Sequence, residues 1–184
     1  MPFASQGEWA AWLAAHCASS TGVWLRLAKR GSDQRSVTYA EALDVALCYG
    51  WIDGQKKGDS EHHWLQRFTP RSAKSLWSKI NREKALKLIQ EGRMEPAGFE
   101  EIERAKSDGR WKAAYDSAST AAVPPDLQAA LDANKRAKAF FANLDARNRY
   151  AVLFRLQTAK KPETRFKRLQ QFIEMLSRHE KLHP

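Results

Sequence analysis

TYAEALDVALCYGWIDGQKKGDSEHHWLQRFTPRSAKSLWSKIN, residues Thr38–Asn81, is the stretch on which the fold turns. It opens as a helix. Thr38 followed by Glu41 has the spacing of a reciprocal N-terminal cap. Leu43, Ala46 and Leu47 repeat on one helical stripe, and Gly50 supplies the left-handed stop. Trp51–Gly54 and His63–Phe68 then read as two strands, with Gly54 and Gly58 punctuating the turn between them. Paired antiparallel, they carry Trp51 and Asp53 near Trp64 and Arg67. Thr69-Pro70-Arg71 leaves the sheet. Ser75 or Ser78 caps a helix through Ile89, with Ile80, Leu86 and Ile89 as its buried face.

Toward the N-terminus, Trp9, Trp12, Leu13 and His16 follow the i, i+3, i+4, i+7 pattern of a helix over Glu8–Ala18. His16 is expected there as a partly buried packing residue. Val23–Ala28 alternates apolar and polar and reads as a third strand. Toward the C-terminus, Gly92 ends one helix and Pro96 suits the first turn of the next. Arg110–Tyr115 is a short strand or an extended arm, and Asp116–Pro125, small, polar and proline-ended, reads as a linker. Everything beyond is helical. Asn134 caps a helix with Ala137, Phe140, Phe141 and Leu144 on one side; Tyr150, Leu153 and Phe154 mark another; Phe166, Leu169, Ile173 and Leu176 mark the last. The expected fold is α+β: a small antiparallel sheet of about three strands packed with helices, followed by a C-terminal helical bundle. The expected division is residues 1–120 and 121–184.

The 184 residues carry a net charge of +10. Residues 1–124 hold 18 Lys+Arg against 15 Asp+Glu, and residues 125–184 hold 13 against 6, so the excess lies in the last third. Such a balance favours anionic partners: nucleic acid, phosphorylated metabolites or an acidic membrane surface; the partner expected is an anionic small molecule or a protein, with nucleic acid as the alternative. Cys17 and Cys48 are too few and too far apart for a disulfide framework or a metal site, and both are expected buried and reduced. Residues 1–8 lack the basic start of an export signal, and no apolar run is long enough to span a membrane. These features set the expectation of a cytoplasmic protein.

No Walker loop, GxSxG, HExxH or CxxC occurs, and nothing in the pattern calls for a cofactor or metal. The first candidate site is Trp51, Asp53, Arg71, Ser75, Trp77, Ser78 and Asn81. An arginine beside serines at a helix start can cradle an anion. The alternative is a buried Asp53–Arg71 pair with serine caps. Glu41 and Asp44, one turn apart, are either an acid–base pair or a cap and an arginine partner. The second candidate is a basic stripe, Lys161, Arg165 and Arg168, able to neutralise phosphates of a nucleic acid. The competing reading is a solvated face in which Glu163 pairs with Lys167.

The runs Tyr39–Asp44, Ala46–Gly54, Phe68–Arg71 and Ser75–Asn81 resemble the YdeI/OmpD-associated, or bacteriocin-protection, family. So do Gly92-Arg93-Met94, Gly109-Arg110-Trp111 and the Lys160–Arg168 segment. The resemblance spans nearly the whole chain. It implies an association with an outer-membrane porin and with survival of antimicrobial peptides, and no established reaction or catalytic residues. The expected function is a non-catalytic binding or protection protein recognising an anionic ligand or partner. The alternatives are an enzyme using Asp53, Arg71 and Ser75 or Ser78, or nucleic-acid binding by the C-terminal helices.

Overall fold

The computed structural model describes all 184 residues, Met1–Pro184, as eight helices and three strands. They divide into two units, Met1–Lys112 and Ala113–Pro184. No helix is long and apolar enough to cross a membrane.

The first unit contains α1 (Gln6–His16), β1 (Val23–Ala28), α2 (Tyr39–Cys48), β2 (Trp51–Gly58), β3 (His63–Pro70), α3 (Lys79–Gln90) and α4 (Pro96–Ser107). The sheet is antiparallel with order β1-β3-β2. The β2–β3 hairpin pairs Trp51 with Pro70 and Gly58 with Trp64, with a bulge between Asp53 and Lys56. The other edge, β1, is extended by the N-terminus: Arg26 donates its N–H to the Met1 carbonyl at 2.9 Å. One face of the sheet is covered by aromatic packing. Trp9 is fully buried and meets the rings of Trp51 at 6.3 Å and Phe68 at 5.8 Å. Its indole N–H is satisfied by the Ala42 carbonyl at 3.0 Å, which ties α1 to α2.

The reciprocal Thr38–Glu41 cap forms, and Gly50 takes φ 71° just beyond α2. Asp44 pairs with a lysine, Lys84 at 2.7 Å, rather than with an arginine. Three apolar assignments change. His16 is exposed and stacks flat on Trp12, with centroids 4.7 Å apart. Helix α3 buries Ala85 and Leu88, leaving Ile80 and Leu86 exposed. Cys17 caps the C-terminal end of α1 and is only half-buried, whereas Cys48 is buried; both are free. Residues 110–113 form turns and Tyr115 makes a single β-bridge, so Arg110–Tyr115 contains no strand element.

The second unit contains α5 (Pro125–Ala133), α6 (Lys135–Ala142), α7 (Ala146–Gln157) and α8 (Pro162–Ser177). Its core is one cluster built on Leu127, Leu131, Phe141, Val152, Leu156, Phe172 and Leu176. Asn134 caps α6 and Asp145 caps α7 through their side chains. Residues 116–125 are attached to this unit. Asp116 accepts from Gln157 Nε2 at 2.7 Å, the Tyr150 hydroxyl donates to the Asp116 carbonyl, and Ala121 and Val123 pack on the cluster. Phe166 departs from its expected core position and is 59% exposed.

Candidate functional site

The loop from Arg71 to Ser78 gathers most of the first candidate set. It leaves β3 and ends at Ser78, whose hydroxyl accepts from the Asn81 N–H at 3.1 Å and so caps α3. The Ser75 hydroxyl is turned back on its own loop, accepting from the Ser72 N–H at 2.9 Å. Neither serine faces a histidine or carboxylate that could deprotonate it.

Arg71 is the centre of this loop. It is 4% exposed, donates Nη1 to the Leu76 carbonyl at 3.1 Å, and lies with Cζ 3.6 Å above the Trp77 ring. Trp77 in turn meets Trp111 edge-on at 4.8 Å. Two further arginines hold the same loop: Arg110 donates to the Ser75 carbonyl at 2.8 Å, and Arg104 to the Arg71 carbonyl at 3.2 Å. Arg110 is oriented by Asp108 at 2.7 Å, and Arg104 by Glu101. Burial pushes the Glu101 carboxyl above its ordinary value, against the pull of Arg104, Arg110 and Arg71. Guanidinium groups suit this task because their fixed fork can satisfy loop carbonyls while the flat face stacks on indole.

The structure does not bring Asp53 to Arg71. Asp53 accepts from the Tyr39 hydroxyl at 2.8 Å, across to the start of α2. Trp51 is 1% exposed and donates to the Cys17 carbonyl at 3.2 Å. Trp51, Arg71 and Trp77 are therefore buried and engaged within the fold. Arg104 and Arg110, absent from the sequence-derived set, belong to the same clamp; the Gly109-Arg110-Trp111 run was the only local sign of it.

An open cavity of about 460 Å³ lies elsewhere in this unit, with Ala10, Val45 and Cys48 as its apolar floor and Gln6, Arg93 and Glu95 on its polar side. Burial pushes the Cys48 thiol up to about 11, so it is protonated at neutral pH.

In the second unit the basic stripe separates into two kinds of cation. Arg165 and Arg168 serve the fold. Arg165 forms a two-pronged pair with Asp126, at 2.7 and 2.8 Å, and donates to the Leu156 carbonyl at 2.8 Å. Arg168 donates to the Arg155 carbonyl at 2.5 Å. Together they neutralise carbonyls in the last turn of α7, where a helix presents partial negative charge. Lys161 is different: it is exposed at the N-cap position of α8 and makes no side-chain cap. Lys160, the preceding residue, and Arg155, in the last turn of α7, are exposed as well, and none of the three has an ion pair. The expected Glu163–Lys167 pair is also not made, both side chains standing in solvent.

Residues 1–101 match the model of a domain of unknown function (DUF8412), and residues 120–179 match the family described as bacteriocin-protection, YdeI or OmpD-associated. No curated protein and no solved structure matches the chain. The YdeI/OmpD-associated likeness is thus narrower than the near-complete span expected from the tryptophan-rich runs, which fall within the other match. With more than half of its length covered by the first model, the chain belongs to the DUF8412 family over residues 1–101, and its residues 120–179 are similar to the YdeI/OmpD-associated family.

Proposed function

We propose that the protein is a binding and protection protein that recognises an anionic partner through the turn between α7 and α8. The observation that carries this reading is the position of Lys160 and Lys161. Cations at the N-terminus of a helix oppose its dipole and cost stability. Here two stand at the start of the 16-residue α8, exposed and without ion pairs, and the last turn of α7 adds exposed Arg155. An anion bound at this turn gains from the lysines and from the free N–H groups of the helix start together. The fold gains little from these charges, which is the usual mark of residues kept for a partner. The first candidate set supports a structural role better than a catalytic one, because Asp53, Ser75 and Arg71 each have partners within the fold.

The test compares the native chain with an Arg155→Ala/Lys160→Ala/Lys161→Ala variant, using fluorescence anisotropy against labelled poly-glutamate and a labelled DNA duplex. The variant keeps its helical circular dichroism and loses affinity by about tenfold or more, and native binding weakens with salt. Equal affinity of native and variant chains would remove this turn from the function. Binding of the duplex with no binding of poly-glutamate would transfer the reading to nucleic acid.

A further inference from the structure

Phe166 has no explanation in the second unit. Its neighbour on α8, Phe172, is 5% exposed in the core, while Phe166 stands 59% exposed. It borders an open groove of about 540 Å³ between α5 and α8, with Ala130, Ala133, Leu169 and Ile173 as its apolar walls. Phe166, Gln170, Ile173 and Ser177 recur at intervals of four, three and four, the spacing of a helix seam prepared to meet another helix.

The charges beside this seam show what meets it. Glu163, Lys167, Glu174 and Arg178 fall within about 60° of one another around the helix, all on one flank of the seam. Their order along the chain is minus, plus, minus, plus. Reversed about the midpoint between Gln170 and Gln171, position 163 falls opposite 178 and position 167 opposite 174. Every facing pair is then of opposite sign. A two-fold axis perpendicular to two antiparallel helices brings the same flank of each together, as an isologous contact requires. A parallel pairing would set the two copies of this flank on opposite sides of the seam, where these charges do not meet. Glu163 and Lys167 are exposed and unpaired within the chain. Glu174 is held only by exposed Arg178 one turn away, a contact of little cost to share.

We propose that this groove binds a second copy of the chain, with the two α8 helices antiparallel across a two-fold axis and each Phe166 inserted beside the other copy's Ile173. The contact is one helix face per copy, about 24 Å long, which is small for a permanent interface. The dimer is therefore a reversible one, populated at micromolar and higher concentrations.

Sedimentation equilibrium of the full chain over a wide concentration range tests it. The native protein shows a monomer–dimer equilibrium. Phe166→Glu, a change at an exposed position that leaves circular dichroism unaltered, raises the dissociation constant by about tenfold or more. Lys167→Glu and Glu174→Lys each weaken the dimer, and the two changes in one chain recover affinity relative to either alone, because the exchanged charges again face each other. Gln170→Cys, next to the axis, forms a disulfide-linked dimer on mild oxidation, whereas the native chain with its own Cys17 and Cys48 does not. A chain that stays monomeric throughout, a dimer indifferent to Phe166→Glu, or a charge exchange that fails to recover the single-variant losses overturns the proposal. A helical peptide or other protein that binds the groove of a strictly monomeric chain would assign it to a different occupant.

Discussion

Gly98 in α4 lies directly against the backbone of Cys48 at the end of α2. A Cβ on Gly98 would stand 2.9 Å from the Cys48 carbonyl carbon and closer still to its oxygen. The same carbonyl accepts from the Glu95 N–H at 3.1 Å, just before α4 begins. Helix α4 is thus docked by its first turn onto the exit of α2, at a separation that only glycine allows.

Gly98→Ala forces one backbone away from the other and is expected to cost about 3 kcal/mol, the upper range for overpacking. Gly92 provides the control. Its φ of 68° strains an added side chain, but nothing lies within 4 Å of a Cβ there. Gly92→Ala should cost about 1 kcal/mol, the penalty of a left-handed residue alone. Urea denaturation of both variants measures the difference, and equal losses would mean that α4 yields easily.

Arg71→Ala removes a cation stacked on Trp77 and a donor to the Leu76 carbonyl. The expected loss is about 3 kcal/mol, combining a desolvated cation–π contact with a hydrogen bond. Adding Asp53→Asn should recover none of it, since Asp53 is bonded to Tyr39. Thermal melts of the single and double variants check this. Substantial recovery in the double variant would restore the Asp53–Arg71 pairing read from the sequence.

The two thiols should react unequally. Cys48 is buried and its thiol is pushed up to about 11, mainly by desolvation, so at pH 8 only about one molecule in a thousand carries the reactive thiolate. Cys17 is half-buried at a helix end. Ellman's reagent should titrate one thiol in the native protein and two in denaturant. Cys17→Ser should abolish the native reaction; labelling of Cys48 in that variant would contradict its burial.

Asp126 is held below the ordinary carboxylate range, chiefly by the hydrogen bond from Arg165. A depressed folded value means that the pair's contribution is present above the unfolded pKa and is lost as pH falls through the folded one. Stability of the second unit should therefore fall on acidification below about pH 4, and Asp126→Asn should flatten that limb. Near neutral pH the variant should lose about 0.5–1 kcal/mol, a small figure because the Asp126 side chain is 40% exposed. An acid limb of unchanged steepness would show that other carboxylates govern it.

Local chemistry was readable in the chain, and choice of face was not. The Thr38–Glu41 cap, the Gly50 stop, the caps at Ser78 and Asn134 and all three strands depend on residues within a few positions of one another. Ile80, Leu86 and Phe166 have the right spacing for a core and are exposed, because periodicity marks an apolar stripe without saying what lies opposite it. The partners of Asp53, Asp44 and the Arg71 loop come from 14 to 40 positions away. Nothing in the residues beside them distinguishes Tyr39, Lys84 or Arg110 as the group that arrives. The partners of Arg71 were illegible for that reason: it is held to its loop by contacts that only folding creates.

The free edge of β2 has a consequence for the behaviour of the protein at high concentration. Beyond the bulge at Asp53–Lys56 the strand is exposed, and it carries Lys56 and Lys57 side by side. A strand from another molecule adding to this edge would meet a ladder whose register is already broken and would have to accommodate a lysine on each of its faces. The segment is therefore a poor seed for cross-β stacking. Straightening the bulge and replacing the two lysines by valine or isoleucine would give the sheet an open flank along which chains could polymerise into fibres.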